Sequence, residues 1–421
     1  MSKEFTDRLR TIDRENTSVR EALTRSVAMD DKDNRMIMPD INSLENLMSE
    51  KRIRLYLGID PTSPDLHIGH TVPLRKLRQF QDLGHEVNLL FGGFTATIGD
   101  PSDRTATRIK LTKEQVAKNM ATYVEQAGKI LDLSPNAKNK IILRNNADWL
   151  SKLTFEDVTE LAGNFSVQQM MARSTYKNRY TAGTTIGLHE FLYPLMQGYD
   201  SVAMDVDLEV GGKDQVPNML DGRTLIKNYK NHEKWVLGTK LIEDPSGKKM
   251  GKTEGNIVNI NDLPEVKYEG IMTWPDSAIG MGFELITSIP MEKVHIINEM
   301  LKVGKLDPMI SKEALAFRAI MELDGEKEAQ FAAEEFTRVK REGKLPLRMQ
   351  EVSINKKTKI SEVLVLSELV KTTEEALAKI AQKSIFIDGN QSQKDTEWPS
   401  NAVTIATAKK TIKNIRSVKI K

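Results

Sequence analysis

Cysteine is absent from this chain of 421 residues. That removes disulfides, thiolate nucleophiles and cysteine-based metal sites, and it fits a reducing compartment. Long apolar runs are missing too: no segment reaches the length of a membrane span. The opening residues, M-S-K-E-F-T-D-R-L-R, carry charge where a secretory segment needs an apolar core. A soluble, cytoplasmic protein with no membrane partner is the expectation. Neither sign of charge prevails, since 61 Lys and Arg stand against 59 Asp and Glu, so bulk charge points to no class of partner. Histidine is scarce, and His85, His189, His232 and His295 lie at no ligand spacing to His67 and His70, so no protein-bound metal is expected. No period of roughly 20 to 50 residues recurs, which excludes a solenoid.

What the chain does have is alternation. Residues 53–59 carry β-branched and aromatic side chains in strand order, and Pro61 and Pro64 forbid the strand from continuing. Residues 66–77 then read as a helix with Asp65 as its N-cap. Strand, turn and helix in that order place free N–H groups and a positive dipole end at the carboxyl edge of a sheet, a natural seat for phosphate. Residues 86–91, E-V-N-L-L-F, read as the largely apolar run of a central parallel strand, completing a βαβ crossover. The loop G-G-F-T-A-T-I-G-D-P-S follows it. Further on, residues 187–215 read as a helix, a turn and a short strand ending in a double glycine, and a strand after Trp235 leads into a Gly- and Lys-rich loop.

His67 and His70 stand three apart, on one helical face. Alone, such a pair is compatible with ordinary surface or cap histidines. Set in D-P-T-S-P-D-L-H-I-G-H, residues 60–70, it resembles the ATP-binding signature of the class I aminoacyl-tRNA synthetases, and with Tyr56 and Gly58 the tyrosyl branch of that family. Gly69, between the histidines, leaves room for a flat ring against the backbone. In K-M-G-K-T, Lys249 and Lys252 lie three apart among Gly247, Gly251 and Gly255, a mobile pair of ammonium groups suited to phosphoryl oxygens. The spacing is not that of a Walker loop. By itself it is compatible with a solvated basic turn; downstream of the histidine motif it resembles the family's second signature, K-x-G-K-[ST].

The resemblance implies a doubly wound, Rossmann-like parallel α/β sheet, an all-α anticodon-binding domain and a small α+β RNA-binding domain. Boundaries are expected at 1–240 for the catalytic domain, with N-terminal helices and an inserted helical dimer region at about 115–185, then 241–345 and 346–421. It implies activation of L-tyrosine with ATP, Mg2+ accompanying the nucleotide, and transfer of tyrosine to tRNA(Tyr) by a homodimer. Thr62 and His67 would hold the γ-phosphate, His70 the ribose side, and Lys249, Lys252 and Thr253 would close over pyrophosphate with help from Arg104 and Arg108. Tyr193, Gln197 and Asp200 follow the pattern Y-x-x-x-Q-x-x-D, which puts them on one side of a helix. By resemblance Tyr56 and Asp200 would bind the phenolic hydroxyl, and Asp100, Tyr193 and Gln197 the ammonium group. Gly58, Asp60 and Gly69 would approach the adenosine, and Gly212, Asp214 and Gln215 the ribose and the substrate carboxylate. Asn146 and Trp149 would line the same side. Two positions depart from the family pattern: Lys213 replaces a small hydroxyl residue and Asp103 a glycine.

From Lys344 onward about 15 Lys and Arg face about 8 Asp and Glu, the asymmetry of a segment that meets nucleic acid. The pattern there is helix, turn, helix, strand, with a turn at 387–390, and it resembles the small RNA-binding module that ends bacterial tyrosyl enzymes. Lys371, Lys379 and Lys383 would touch phosphates. Two alternatives stand beside this assignment: tryptophan specificity on the same scaffold, against which Tyr56 and Asp200 argue, and an RNA-binding or regulatory protein without activity, against which the intact signatures argue.

Overall fold

In a computed structural model that describes Leu9 and residues 17–101, 111–243, 257–407 and 412–420, the apolar runs assemble into one six-stranded sheet. Its strands are β1 Ile37–Met38, β2 Arg54–Ile59, β3 Glu86–Phe91, β4 Ile142–Asn145, β5 Leu208–Gly212 and β6 Trp235–Thr239, in the spatial order β1-β6-β5-β2-β3-β4. All neighbours run parallel except β1 and β6. β3 is buried from Val87 onward, which explains its largely apolar sequence, and its one buried polar side chain, Asn88, is satisfied by donating to the Leu55 carbonyl at 3.2 Å and accepting from Arg144 Nε at 3.3 Å.

The strand order reverses between β2 and β5. In sheets of this kind that reversal opens a crevice at the carboxyl ends, because the crossovers leave on opposite faces. β2 pairs with β3 along its whole length, from Arg54↔Glu86 to Ile59↔Phe91. With β5 it pairs only at Leu55↔Leu208 and Tyr56↔Glu209. Beyond Tyr56 the two strands part.

The helix expected from residue 66 begins later. A 3-10 turn spans Ile68–His70 and the α-helix runs Thr71–Asp82, with His67 rather than Asp65 as the capping residue. Tertiary bonds hold the preceding chain extended: Leu66 N–H donates to Gln126 Oε1 at 2.7 Å, and its carbonyl accepts from Ile260 N–H at 2.8 Å. The helix itself buries Leu74, Leu77 and Phe80 in the main core with Leu55, Leu57, Val87 and Leu89.

The chain forms two compact units: Met1–Asn261 with Trp274–Leu323, and Asp262–Thr273 with Asp324–Lys421. In the first, Arg25 ties the later helices to the N-terminal segment by donating to the carbonyls of Phe283, Thr287 and Ile289. In the second, Tyr268 on the helix Pro264–Met272 packs against Phe336 on the helix Glu326–Phe336 with ring centroids 5.4 Å apart. This unit also carries a five-stranded sheet of β7 Gln350–Ile354, β8 Ile385–Ile387, β9 Asn390–Ser392, β10 Thr404–Ala406 and β11 Ile415–Ile420, in the order β7-β11-β10-β8-β9. The helices Ile360–Leu366 and Thr373–Ala381 bury Val363, Leu364 and Ile380 against Ile385, Ile405 and Trp398. The turn expected at 387–390 is a two-residue hairpin in which Asp388 and Gly389 both have positive φ, 46° and 77°, matching the twist of the strands it joins. Among the described residues no helix is long and apolar enough to cross a membrane.

Candidate active site

A cleft of about 1560 Å³ opens where β2 and β5 part. Every described residue expected at the catalytic and amino-acid sites lines it: Tyr56, Gly58, Asp60, Thr62, His67, Gly69, His70, Asp100, Tyr193, Gln197, Asp200, Gly212, Asp214 and Gln215. Asn146 lines it as well. Ser102, Asp103, Arg104, Arg108, Lys249, Lys252 and Thr253 lie outside the described residues. The described chain on either side of 244–256 is anchored at the cleft: Leu241 and Ile242 line it, Val258 accepts from Ile68 N–H at 2.8 Å, and Asn259 bridges to His67. Lys213, the departure beside Asp214, forms an ion pair with Glu243 at 2.5 Å, so its long side chain is held by a neighbouring carboxylate.

At the histidine end, Gly69 N–H donates to His67 Nδ1 and His67 N–H donates to His70 Nδ1, both at 3.1 Å. The rings lie against each other at a tilt of 33°, with centroids 3.9 Å apart. Since each Nδ1 accepts from a backbone N–H, the neutral rings carry their proton on Nε2 and act there as donors, the polarity phosphate oxygens require. The flat ring that Gly69 accommodates is the imidazole of His67, whose Nδ1 would lie 2.9 Å from any Cβ at that position.

At the opposite end, the helix Leu192–Met204 presents Tyr193, Gln197 and Asp200 to the cleft. Asp200 is only 3% exposed, and its carboxylate accepts from Trp149 Nε1 at 2.8 Å and from Asn146 Nδ2 at 3.2 Å. Burial pushes this carboxyl well above the usual range, and those two donors pull it partly back. Trp149 thus stands behind Asp200 rather than along the cleft wall. Burial likewise raises the phenols of Tyr56 and Tyr193, which stay protonated donors at neutral pH. Tyr193 donates to Asp60 Oδ2 at 2.8 Å, and Thr95 donates to Asp60 Oδ1 at 2.7 Å. Close packing is needed here, for a Cβ at Gly92 would fall 1.8 Å from Asp60 Oδ1. Gln215 Nε2 donates to Asp100 Oδ2 at 2.7 Å.

Sequence reasoning passed over Thr95, Ser201, Glu209 and Lys234. Tyr56 O–H and Ser201 Oγ are 3.1 Å apart; Glu209 and Lys234 form a buried ion pair beside them. A charged residue inside an otherwise apolar strand, as Glu209 is in β5, was the one available signal. Lys371, Lys379 and Lys383 belong to the second unit, around the helix Thr373–Ala381, with Lys371 and Lys383 exposed.

A family model for tRNA synthetases class I (W and Y) matches residues 48–339. A tyrosine–tRNA ligase from Thermotoga maritima is 41% identical over 349 residues, 83% of this chain and 86% of that protein. Another, from Photobacterium profundum, is 39% identical over 356 residues, 84% of this chain and 89% of that protein. Among solved structures, a C-terminally truncated mitochondrial tyrosyl-tRNA synthetase from Aspergillus nidulans superimposes with a TM-score of 0.62 at 24% identity, over 79% of this chain and 96% of that one.

Proposed function

The chain belongs to the tyrosyl-tRNA synthetases of class I, and from that premise we propose that its cleft activates L-tyrosine with ATP and passes it to tRNA(Tyr). In the first step a substrate carboxylate oxygen attacks the α-phosphorus of ATP. The P–O bond to the β-phosphate breaks, and tyrosyl-adenylate and pyrophosphate result. In the second a terminal ribose hydroxyl of the tRNA attacks the adenylate carbonyl, AMP leaves, and the hydroxyl proton is released. Neither step requires a side-chain nucleophile. What the protein contributes is alignment of two anions and neutralisation of charge growing on the leaving group.

The assignment of roles follows the polarity of the groups. The Nε2–H donor of His67, with the Thr62 hydroxyl, holds the γ-phosphate, and His70 supports the ribose side. Lys249 and Lys252, with Arg104 and Arg108, supply positive charge to the departing pyrophosphate, Thr253 offers it a hydroxyl donor, and Mg2+ would accompany ATP. Gly58, Asp60, Gly69, Gly212 and Asp214 approach the nucleotide. Tyr56 and Asp200 take the phenolic hydroxyl; Asp100, Tyr193, Gln197 and Gln215 take the ammonium and carboxylate. The observation that carries this assignment is that the imidazole pair, the Tyr193–Gln197–Asp200 face and the loop after β5 converge on one cleft at the strand-order reversal. Tyrosine-dependent exchange of labelled pyrophosphate into ATP tests it. Exchange with tyrosine and none with tryptophan is expected; the reverse preference, or no exchange, overturns it.

The three-part division at residues 240 and 345 is proposed as a division of roles, since by packing the helix Pro264–Met272 goes with residues 324–421. A cytoplasmic homodimer is proposed as well. Phe155, Leu188, Tyr180 and Val167 are 88%, 82%, 73% and 70% exposed, a concentration of apolar side chains along residues 155–188 that a second copy would cover. Sedimentation at micromolar concentration should report twice the chain mass, and Phe155→Glu with Leu188→Glu should halve it.

A further inference from the structure

Beneath the amino-acid end of the cleft lies an ion pair that the reaction itself does not use. Glu209, opposite Tyr56 in the β2–β5 register, is 2% exposed, and Lys234, immediately before β6, is fully buried. Lys234 Nζ donates to Glu209 Oε2 and to the carbonyl of Met219 at 3.1 Å, and lies 5.8 Å from the centre of the Tyr56 ring. Space for it is kept by Gly222, where a Cβ would fall 2.4 Å from Nζ. The other carboxylate oxygen, Glu209 Oε1, accepts from Gln197 Nε2 at 3.0 Å. Gln197 Oε1 is buried and has no hydrogen-bond partner among the described residues.

An ionised carboxylate only accepts, so the face of the Gln197 amide turned to Glu209 must be its NH2 group. The carbonyl oxygen is thereby forced to the other side. Lys234 matters because it supplies, inside the fold, the counter-charge and the donor that Glu209 Oε2 requires. We infer that the Glu209–Lys234 pair is a positioning device: it locks the Gln197 amide so that Oε1 is presented as an acceptor to the ammonium group of the amino-acid substrate. The inference rests on the tyrosine-activating assignment above. Glu209 lies at the floor of the cleft and Lys234 behind it, and the role assigned to both is exerted through Gln197.

The device predicts an unusual pattern of loss and recovery. In Glu209→Gln the new amide has one acceptor oxygen, and Lys234 Nζ, still held against the Met219 carbonyl as a donor, claims it. Its NH2 group then faces Gln197, whose amide must flip and offer N–H donors to a cationic substrate group. Removing the cation as well, in Glu209→Gln with Lys234→Ala, frees the new oxygen to accept from Gln197 Nε2 and restores the original orientation.

The test uses the full-length enzyme, pyrophosphate exchange, and equilibrium binding of L-tyrosine and of its desamino analogue, 3-(4-hydroxyphenyl)propionate. Glu209→Gln should raise KM for tyrosine at least about tenfold, the scale of a lost charge-assisted hydrogen bond, with kcat and KM for ATP little changed. The analogue should bind as to the parent enzyme. The double variant should return KM for tyrosine to within about threefold of the parent. Unchanged tyrosine affinity in Glu209→Gln, parallel loss of tyrosine and analogue, or no recovery in the double variant each overturns the proposal. Should Glu209→Gln fail to fold, Lys234→Met carries the test: it should narrow the preference for tyrosine over the analogue, and an unchanged preference overturns the proposal. Absence of tyrosine-dependent exchange in the parent enzyme would instead overturn the activity assignment.

Discussion

The cleft of the first unit and the five-stranded sheet of the second handle charge in opposite ways. In the cleft, carboxylates are taken out of water and bound by other protein groups: Asp200 by Trp149 and Asn146, Glu209 by Lys234 and Gln197, Asp60 by Tyr193 and Thr95. In the second sheet the interior is apolar, built on Val363, Leu364, Ile385 and Ile405, and Lys371 and Lys383 stay in solvent. The difference follows from what each would recognise. A free amino acid offers few atoms, so selectivity has to come from fixed, desolvated groups that a wrong substrate leaves unpaired. A phosphate backbone offers repeated charge, and hydrated ammonium groups on mobile stems meet it without any buried cost.

The sharpest way to break this comparison is Asp200→Ala. Tyrosyl-tRNA synthetases as a class reject phenylalanine by about 10⁵, a property of the family rather than a value obtained from these distances, and the substitution should remove most of it. The ratio of kcat/KM for the two amino acids measures the outcome; retained selectivity would place the phenol site elsewhere. Next in size, Lys252→Ala should slow adenylate formation by about 10²–10³ while leaving tyrosine affinity nearly unchanged, and equal losses in both would contradict a role at the leaving group.

A third experiment concerns a buried carboxylate with partners but no substrate. Glu322 is bound by Arg75, Arg318 and Ser288, and the two guanidinium groups overcome burial to hold its carboxyl down at about 2. A depressed folded-state value means stability that is complete above the ordinary pH of about 4.5 and lost as pH falls toward 2, roughly 3 kcal/mol in all. Glu322→Gln should abolish that dependence in denaturant melts taken between those pH values; an unaltered slope would assign it to other carboxylates. The smallest effect is expected in the second sheet. Replacing Lys371, Lys379 and Lys383 together by Ala should raise KM for tRNA by roughly tenfold and flatten its salt dependence, with pyrophosphate exchange untouched. Loss of exchange would mean that the two regions are not separable in this way.

Much of the architecture was legible because it rests on local rules. Pro61 and Pro64 ended β2, the largely apolar run marked β3, and the four-then-three spacing placed Tyr193, Gln197 and Asp200 on one helical face. What could not be seen depends on partners distant in sequence. The late start of the helix at residue 71 is decided by Gln126 and Ile260 holding Leu66, not by the capping strength of Asp65. Glu209 and Lys234 lie in segments whose meeting requires the β5–β6 register, and nothing in their spacing announces it. The helix Pro264–Met272 packs with a segment some 60 residues later, so a boundary read from local punctuation could not find its unit.

The parting of β2 and β5 after Tyr56 has a consequence for how the cleft tolerates change. Leu57, Gly58, Ile59, Val210, Gly211 and Gly212 all border it. Along that margin the chain can offer peptide amides and carbonyls, which every residue but proline carries alike. Mutation can alter such a margin only by moving the strands or by adding a side chain at Gly58, Gly211 or Gly212, whereas one nucleotide change can erase the Asp200 carboxylate. Away from those glycines the grip offered by the margin is sheltered from drift, and the choice of amino acid is the part more open to revision.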